Sequence, residues 1–245
     1  MNNQLLKISL KFGLILGGIN LLIGLYYSFT FNPDNLFQSN FLTGILNWAG
    51  MITLIAMAHY EFNQKNDNYI AFKDAILIGL IIIGISYVVS TTYYFISYEF
   101  ILKEKMQSYY KNLSEHFGTP INENMFSISS ILLSTIFALI MEIILLFILI
   151  TAESHWKIFK KAGKQGWASI VPVYNVIVLL DIVKKPIWWL FMLFIPFVNI
   201  IFGIMIINAL STRFYKDEGF TLGLIFLPFV FYPLLGMSKA EYIEE

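Results

Sequence analysis

The sequence contains no cysteine and little charge. Of its 245 residues, 13% are charged and 58% are hydrophobic, and the formal net charge at pH 7 is zero. The lack of cysteine excludes disulfides, thiolate nucleophiles, iron–sulfur clusters and cysteine-ligated zinc. A net charge of zero gives no electrostatic basis for nucleic-acid binding. Soluble domains carry about 25% charged residues, so this composition is typical of a protein embedded in a membrane.

Long apolar stretches make up most of the chain, and nearly every charge falls between them. A helix needs about 20 residues to cross the ~30 Å hydrocarbon core of a bilayer. We therefore predict an all-α, polytopic transmembrane protein with about six spanning helices. A re-entrant or seventh segment at 167–183 and a basic amphipathic surface helix complete the prediction. The predicted spans are 9–31, 41–60, 73–97, 128–151, 187–210 and 220–237.

The pattern divides the chain into three parts. Residues 1–151 form a four-helix transmembrane bundle with an outward loop at 98–127. Residues 152–167 form a basic, amphipathic cytoplasmic linker, and 168–245 form a Pro-kinked transmembrane unit.

Basic residues indicate which side of the membrane each loop faces. Lysines precede the first span and follow the fourth, whereas loop 31–40 has none. Since Lys and Arg are enriched in cytoplasmic loops, we predict that the N-terminus and residues 152–167 lie in the cytoplasm. Segment 167–183 has lysines on both flanks, which favours a re-entrant hairpin. A full crossing would place Lys184 and Lys185 outside but Arg213 and Lys216 inside. Two basic residues would be exchanged for two, so the count alone leaves both topologies open.

The stretch His155–Gly166 is the clearest amphipathic element. Trp156 lies on its apolar face, and four lysines lie opposite: Lys157, Lys160, Lys161 and Lys164. Such a helix lies in the headgroup layer, where each lysine contributes about 1 kcal/mol toward anionic lipid. It is either a topology anchor or a specific lipid or partner site. Trp188 and Trp189 are typical of an interfacial aromatic belt.

A Pro-x-x-Asn pattern recurs in the last third of the chain. Pro172 and Asn175 are repeated by Pro196 and Asn199, and Pro228 begins an echo that lacks the asparagine. Proline removes a backbone donor from a helix, so we expect kinks there. An asparagine side chain one turn later would hydrogen-bond the freed backbone or a neighbouring repeat. The pattern indicates either a compact unit in which Pro–Asn pairs hold bent helices together or a broken-helix binding site of the transporter kind.

The C-terminal part resembles an uncharacterised bacterial membrane domain, which in some bacteria is fused ahead of the catalytic part of signal peptidase I. The motifs that carry the resemblance are Trp156-Lys-Ile-Phe-Lys-Lys-Ala-Gly163-Lys-Gln-Gly-Trp167-Ala-Ser-Ile-Val-Pro172-Val-Tyr-Asn175, Lys185-Pro186-Ile-Trp188-Trp189, Ile195-Pro196-Phe-Val-Asn199-Ile and Leu222-Gly-Leu-Ile-Phe-Leu-Pro228-Phe-Val-Phe-Tyr-Pro233. The resemblance covers about 150–240. It implies a multi-pass protein of the bacterial inner membrane whose C-terminus, like the N-terminus, is cytoplasmic. Because few residues follow Met237, we expect no peptidase domain.

The N-terminal part is similar to a four-helix membrane domain of unknown function, common in Bacteroidota-type bacteria. The similar stretch is Tyr60-Glu-Phe-Asn-Gln-Lys-Asn-Asp-Asn-Tyr69-Ile-Ala-Phe-Lys-Asp-Ala-Ile and the Gly- and Ser-bearing span that follows. Neither resemblance implies an agreed activity.

Two acidic residues are the candidate functional side chains. Glu142 lies in the middle of the fourth span, where an ionisable group is costly unless partnered. It is either a protonated hydrogen-bonding group between helices, with span-three hydroxyls or Asn208 as partners, or an ion- or proton-handling site. Asp181 is interpreted as one half of a solvated ion pair with Lys184 and Lys185.

The chain shows no zinc-protease, serine-hydrolase or P-loop motif, and we predict no metal site and no cofactor. The predicted function is that of a non-enzymatic accessory or scaffold component of a membrane assembly, with protein export or envelope biogenesis suggested by the resemblance. The alternative is a small transporter or channel that uses Glu142. The expected partners are anionic lipids and a membrane protein or a second copy of the chain, not nucleic acid.

Overall fold

The structure, a computed structural model, describes residues 3–30, 36–97, 100, 107, 111, 114–115, 118 and 128–244. All regular secondary structure within these ranges is helical. The helices are α1 (Asn3–Thr30), α2 (Leu36–Lys65), α3 (Phe72–Ser97), α4 (Ile128–Lys161), α5 (Tyr174–Ile182), α6 (Trp189–Met192), α7 (Val198–Thr212), α8 (Glu218–Phe226) and α9 (Pro228–Gly236), with a 3-10 turn at Gly166–Ser169. The outward loop predicted at 98–127 lies almost entirely outside the described residues.

Three helices among the described residues are long and apolar enough to cross a membrane: Asn3–Thr30, Phe72–Ser97 and Thr135–Lys161. This confirms the helical class and several apolar helices able to span a bilayer. The predicted count of six spans is not confirmed. The predicted spans at 187–210 and 220–237 are each divided between two shorter helices, because the chain turns at 193–197 and at Leu227.

The described residues form two compact units. The first comprises Met1–Asn68 and Ile76–Leu146, and the second comprises Tyr69–Ala75 and Phe147–Glu245. Helix α4 continues from the first unit into the second and ends at Lys161. The segment 152–167 is therefore the last part of α4, the turn that follows it and the start of the next element, rather than a separate surface helix.

In the first unit, α1 packs closely against α3. A Cβ atom added at Gly13 or Gly17 would lie 3.0–3.1 Å from the side chains of Ile85 and Val89, respectively. These small residues let the two helices approach, as in many membrane helix pairs. The contacts advance in the same direction along both helices, so α1 and α3 are parallel.

Polar side chains join the helices of the first unit as well. The Asn20 amide donates to Ser86 Oγ at 2.9 Å, again between α1 and α3. At the end of α2, Lys11 Nζ and Lys65 Nζ each lie 2.7 Å from a carboxylate oxygen of Glu61. The two lysines donate the hydrogen bonds that lower the pKa of Glu61 below its ordinary value.

In the second unit, residues 166–236 fold into three consecutive helical hairpins. Hairpin 1 runs from Gly166 to Val183, hairpin 2 from Pro186 to Thr212, and hairpin 3 from Asp217 to Gly236. Each turns back near a proline: Pro172, Pro196 and Pro228. We call these turns the tips, and the opposite end, where every hairpin begins and ends, the base.

An aromatic pair closes each hairpin. Trp167 stacks on Tyr174 with ring centroids 5.4 Å apart. The rings of Trp189 and Phe202 lie 4.8 Å apart, and those of Phe220 and Phe231 5.1 Å apart. In hairpins 2 and 3 the paired residues would be far apart along a straight helix, which rises 1.5 Å per residue. The rings therefore meet because the chain reverses direction.

Helix α4 lies beside hairpin 3 and is parallel to α9. Near the tip, the rings of Phe147 and Phe229 lie 6.4 Å apart. Near the base, a Cβ atom at Gly236 would lie 2.5 Å from the backbone oxygen of Ser154. The number of residues from Phe147 to Ser154 in α4 equals the number from Phe229 to Gly236 in α9. A position along α4 therefore indicates the corresponding position along hairpin 3.

Candidate functional site

The segment 238–243 connects the ends of the hairpins at the base of the second unit. The Tyr242 hydroxyl donates to the carbonyl oxygen of Ile182, at the end of hairpin 1, at 2.6 Å. The Ile243 amide donates to Arg213 O, just after hairpin 2, at 2.9 Å. The ends of the first two hairpins are thereby fixed to one strand-like segment. Burial raises the pKa of the Tyr242 hydroxyl, which keeps it a hydrogen-bond donor.

Lys161 joins hairpin 3 to the same base. Its ammonium group donates to the carbonyl oxygens of Leu235 at 2.9 Å and Ser238 at 2.7 Å. Leu235 lies in the last turn of α9 and Ser238 lies two residues beyond its end. Carbonyl groups at a helix C-terminus lack intrahelical partners, and a cation is favoured there. All three hairpins therefore end on one surface of the unit.

Three helices that end at the base share one capping motif. The Lys164 amide bonds Phe159 O, the Lys185 amide bonds Leu180 O, and the Lys216 amide bonds Ser211 O, at 2.8–3.1 Å. In each case the preceding residue adopts the left-handed conformation that this Schellman motif requires: Gly163 (φ 71°), Lys184 (φ 55°) and Tyr215 (φ 53°). Glycine is the preferred residue at this position, so Lys184 and Tyr215 are unfavourable for the backbone by about 1 kcal/mol each.

The four lysines predicted to face lipid headgroups have different environments. Lys160 is exposed and lies 6.0 Å above the Trp156 ring, and Lys157 is partly buried. Lys161 instead binds the carbonyl groups of hairpin 3, and Lys164 binds Asp181. The prediction of one lipid-facing lysine row is therefore wrong for Lys161 and Lys164, because the hairpins fold back against the end of α4.

Asp181 forms an exposed ion pair, but not with the predicted partners. Its carboxylate binds Lys164, and the side chains are 56% and 35% exposed, respectively. The pair joins the start of hairpin 1 to its end. The hydrogen bond to Asp181 raises the pKa of Lys164 above its ordinary value. Lys184 and Lys185, the predicted partners, instead form the capping turn after α5.

The predicted aromatic belt is divided between surface and interior. Trp156 and Trp188 are exposed, and their place in an interfacial belt stays a prediction. Trp189 is buried in the core of the second unit against Phe202. The Lys185 ammonium lies 5.2 Å above the centroid of the Trp189 ring, so a cation covers the face of this ring at the base. Neighbouring residues on a helix face different directions, which explains why only one member of the pair reaches the surface.

The Pro-x-x-Asn repeat is a repeat of backbone geometry. Val173 and Phe197 follow the two prolines and have nearly identical dihedral angles (φ 66°, ψ −49° and φ 66°, ψ −38°). A helix begins at the next residue in both copies. The amides of Asn175 and Asn199 bond the carbonyl oxygens four residues earlier, at 2.9 and 3.0 Å.

This geometry corrects the predicted kinks. Pro172 and Pro196 lie in turns between helices, and Pro228 is the first residue of α9, a position where its missing donor and fixed φ are tolerated. Each asparagine is held through its backbone amide, whereas the sequence suggested a side-chain bond. The repeat therefore builds the tips of hairpins 1 and 2.

Glu142 lies in the part of α4 that belongs to the first unit, and its side chain is partly buried. Within the described residues, its carboxyl group has no hydrogen bond or ion pair. Three of the suggested partners bond elsewhere: Ser90 and Thr92 donate to carbonyl groups of their own helix, and Asn208 accepts from Thr221 at 3.2 Å. Glu142 thus remains a candidate, and Glu142 and Asp181 are not brought into a common site by any described contact.

Two residues of the base were missed by the sequence analysis, Tyr215 and Tyr242. Nothing in the sequence distinguishes them from the other tyrosines, except that each lies next to a short run of charges. In the part of the chain that the structure describes, no group of three His, Asp or Glu side chains is placed to hold a metal ion.

The two units correspond to two families. Residues 11–152 match the family described as "Protein of unknown function (DUF4199)", which covers more than half of the chain. The chain belongs to the DUF4199 family. After the DUF4199 region, residues 167–245 match the "Family of unknown function (DUF5684)", which covers all three hairpins and the segment that joins them. The resemblance to uncharacterised domains is confirmed, whereas the signal peptidase fusion is not shown. No curated protein and no solved structure matched the chain.

Proposed function

We propose that this protein is a non-enzymatic accessory or scaffold component of a membrane assembly and that it presents the base of its second unit to a partner membrane protein. The base supports this role because the segment 238–243 and Lys161 hold the three hairpin ends in a fixed arrangement. A preorganised surface of this kind loses little conformational entropy when a partner binds. Protein export or envelope biogenesis is the process that the resemblance to the peptidase-linked domain suggests.

Tyr215 is the observation that carries the proposal. It occupies a capping position where glycine is preferred, yet its side chain is 78% exposed and gains no burial from the fold. The fold therefore gives no reason for an aromatic residue there. Tyrosine is enriched among the residues that contribute most to protein interfaces, since a large rigid side chain becomes buried on binding.

The test is purification of the tagged protein from its native membrane in mild detergent, followed by mass spectrometry of what accompanies it. We expect a stoichiometric partner with the wild type and its loss with Tyr215→Gly. Glycine suits the left-handed backbone, so this variant should fold as well as the wild type. Lys184→Gly makes the same backbone change in the neighbouring cap, so it is the matched control for the effect of that change on folding. A homo-oligomer carrying only lipid would contradict the proposal.

A second candidate function is transport of an ion or proton through the first unit by Glu142. The partly buried, unpaired carboxyl group in a membrane helix favours it, because ionisable groups at such depth commonly mark pathways. In proteoliposomes, Glu142→Gln is expected to abolish a measurable flux and to leave the melting temperature unchanged. A lower melting temperature without any flux in the wild type would assign Glu142 a structural role.

A further inference from the structure

We propose that the three hairpins of the second unit insert into one leaflet of the bilayer from the side of the base, and that their tips contact lipid acyl chains near the midplane. The second unit would thus enter the membrane without crossing it, apart from α4. The inference does not depend on the proposed partner, since it concerns the opposite end of the unit.

The distribution of charge separates the tips from the base. The stretches 167–180, 186–212 and 219–237 contain no charged residue and no histidine. Every charge between 162 and 244 falls where one hairpin ends and the next begins, or in the segment that joins them. The base can therefore be hydrated, whereas these three stretches and the tips within them carry no charged side chain.

The tips expose large apolar side chains. Phe194 is 72% exposed, Phe197 82% and Phe226 75%. Aromatic and branched residues also project from the tip of hairpin 1, where Ile170 and Val173 are more than half exposed. Exposed apolar side chains that gather at the turns of a protein are normally covered by lipid or protein. Acyl chains match them because the three tips carry no charged residue.

The helices that form the hairpins are too short to cross a bilayer. Helix α7 has 15 residues, and α5, α8 and α9 have 9 each. At 1.5 Å per residue these lengths are about 22 Å and about 13 Å, against a hydrocarbon core of ~30 Å. Both ends of each hairpin are also fixed at the base. If hairpin 2 crossed the bilayer, Lys184 and Arg213 would lie on opposite sides of it. The Tyr242 hydroxyl binds the backbone close to Lys184, and the Ile243 amide binds the backbone oxygen of Arg213, so one short segment holds both ends on the same side.

Helix α4 gives the depth of the tips. It is long and apolar enough to span the bilayer, and its last turns carry Lys157, Lys160 and Lys161. Phe147, which contacts Phe229 at the tip of hairpin 3, precedes Lys157 by about ten residues, or about 15 Å of helix. That distance is half of the ~30 Å core, so the tip lies near the midplane. The basic residues at the base place it on the cytoplasmic side.

Because the chain lacks cysteine, single-cysteine variants of the full-length protein test the topology directly. A water-soluble maleimide is added to sealed vesicles of each orientation. We expect Lys184→Cys and Lys216→Cys, which flank hairpin 2, to react from the same, cytoplasmic side. Ser114→Cys in the predicted outward loop is the control for the other side. Reaction of Lys184→Cys and Lys216→Cys from opposite sides would overturn the proposal.

The lipid contact is tested at the tips. Phe197→Cys, carrying a fluorophore, is reconstituted in vesicles whose acyl chains are brominated either near the headgroup or near the terminal methyl. We expect stronger quenching by the deep bromines. Phe226→Cys lies in ordinary helical backbone and serves if Phe197→Cys does not fold. Equal quenching at both depths, or none because protein covers the tip, would refute the contact with acyl chains.

Discussion

Replacement of Gly236 by alanine tests the packing between α4 and hairpin 3. The added Cβ would lie 2.5 Å from the backbone oxygen of Ser154 and 2.7 Å from its Cα. Backbone atoms cannot rotate away as a side chain does, so α9 must move by about 1 Å to restore ordinary contact. Overpacking of this kind costs about 1–3 kcal/mol. For a chain of this length each kcal/mol shifts the melting temperature by about 2–4 °C, so we expect a decrease of ~2–12 °C.

The assay is thermal unfolding of the purified protein in one detergent, followed by tryptophan fluorescence. Gly203→Ala in α7 is the matched control, because no atom lies within 4 Å of its added Cβ. That substitution should raise stability by about 0.5–1 kcal/mol, since alanine is the better helix former. If Gly236→Ala melts at or above the wild-type temperature, the close approach of α9 to α4 is wrong.

Two further predictions concern charged groups. Lys161→Met removes the charged donor to the carbonyl groups of Leu235 and Ser238, so it should destabilise the protein by about 1.5–3 kcal/mol in the same assay. Lys160→Met, at an exposed position, is the control and should change stability by less than about 0.5 kcal/mol. Equal effects of the two substitutions would contradict the capping role of Lys161. Hydrogen bonds, first of all from Lys11, lower the pKa of Glu61 in the folded protein. The ion pairs of Glu61 therefore stabilise the fold when the pH is above the pKa that this carboxyl group has in the unfolded chain. The stabilisation is lost as the pH falls through the lower pKa of the folded state. Glu61→Gln should thus be less stable than the wild type by about 0.2–1 kcal/mol at pH 7 and equal to it in acid, and a difference that persists in acid would exclude this linkage.

The general architecture could be predicted because it depends on composition and on the positions of charges. Low charge and long apolar runs indicate membrane helices whatever their packing. The charges at 181–185 and 213–218 mark the points where the chain returns to the base, and this is visible in the sequence. The direction of the chain between those points is not visible. An apolar run of about 20 residues fits a spanning helix and a hairpin equally well, so the spans at 187–210 and 220–237 were predicted as single helices.

The local geometry of the site depends on contacts that the sequence does not encode in any simple pattern. A proline indicates a break in a helix but not whether the chain kinks or reverses. Val173 and Phe197 adopt a positive φ angle, which residues with branched or aromatic side chains rarely do, so the sequence gives no turn signal there. Asp181 was assigned to lysines close in sequence, but hairpin closure brings Lys164 to it instead.

The hydrogen bond between Tyr242 and Ile182 joins residues that are 60 positions apart. At about 5–20 residues per second, synthesis needs roughly 3–12 s to add the chain between them. Hairpin 1 must therefore persist during that interval without its tie to the segment 238–243, and hairpin 2 must persist for a shorter one. The stacked Trp167 and Tyr174 rings lie within hairpin 1, and the Lys164–Asp181 pair joins the residue two positions before it to its last helix. Both contacts form before the rest of the unit is made, so they can hold the hairpin closed.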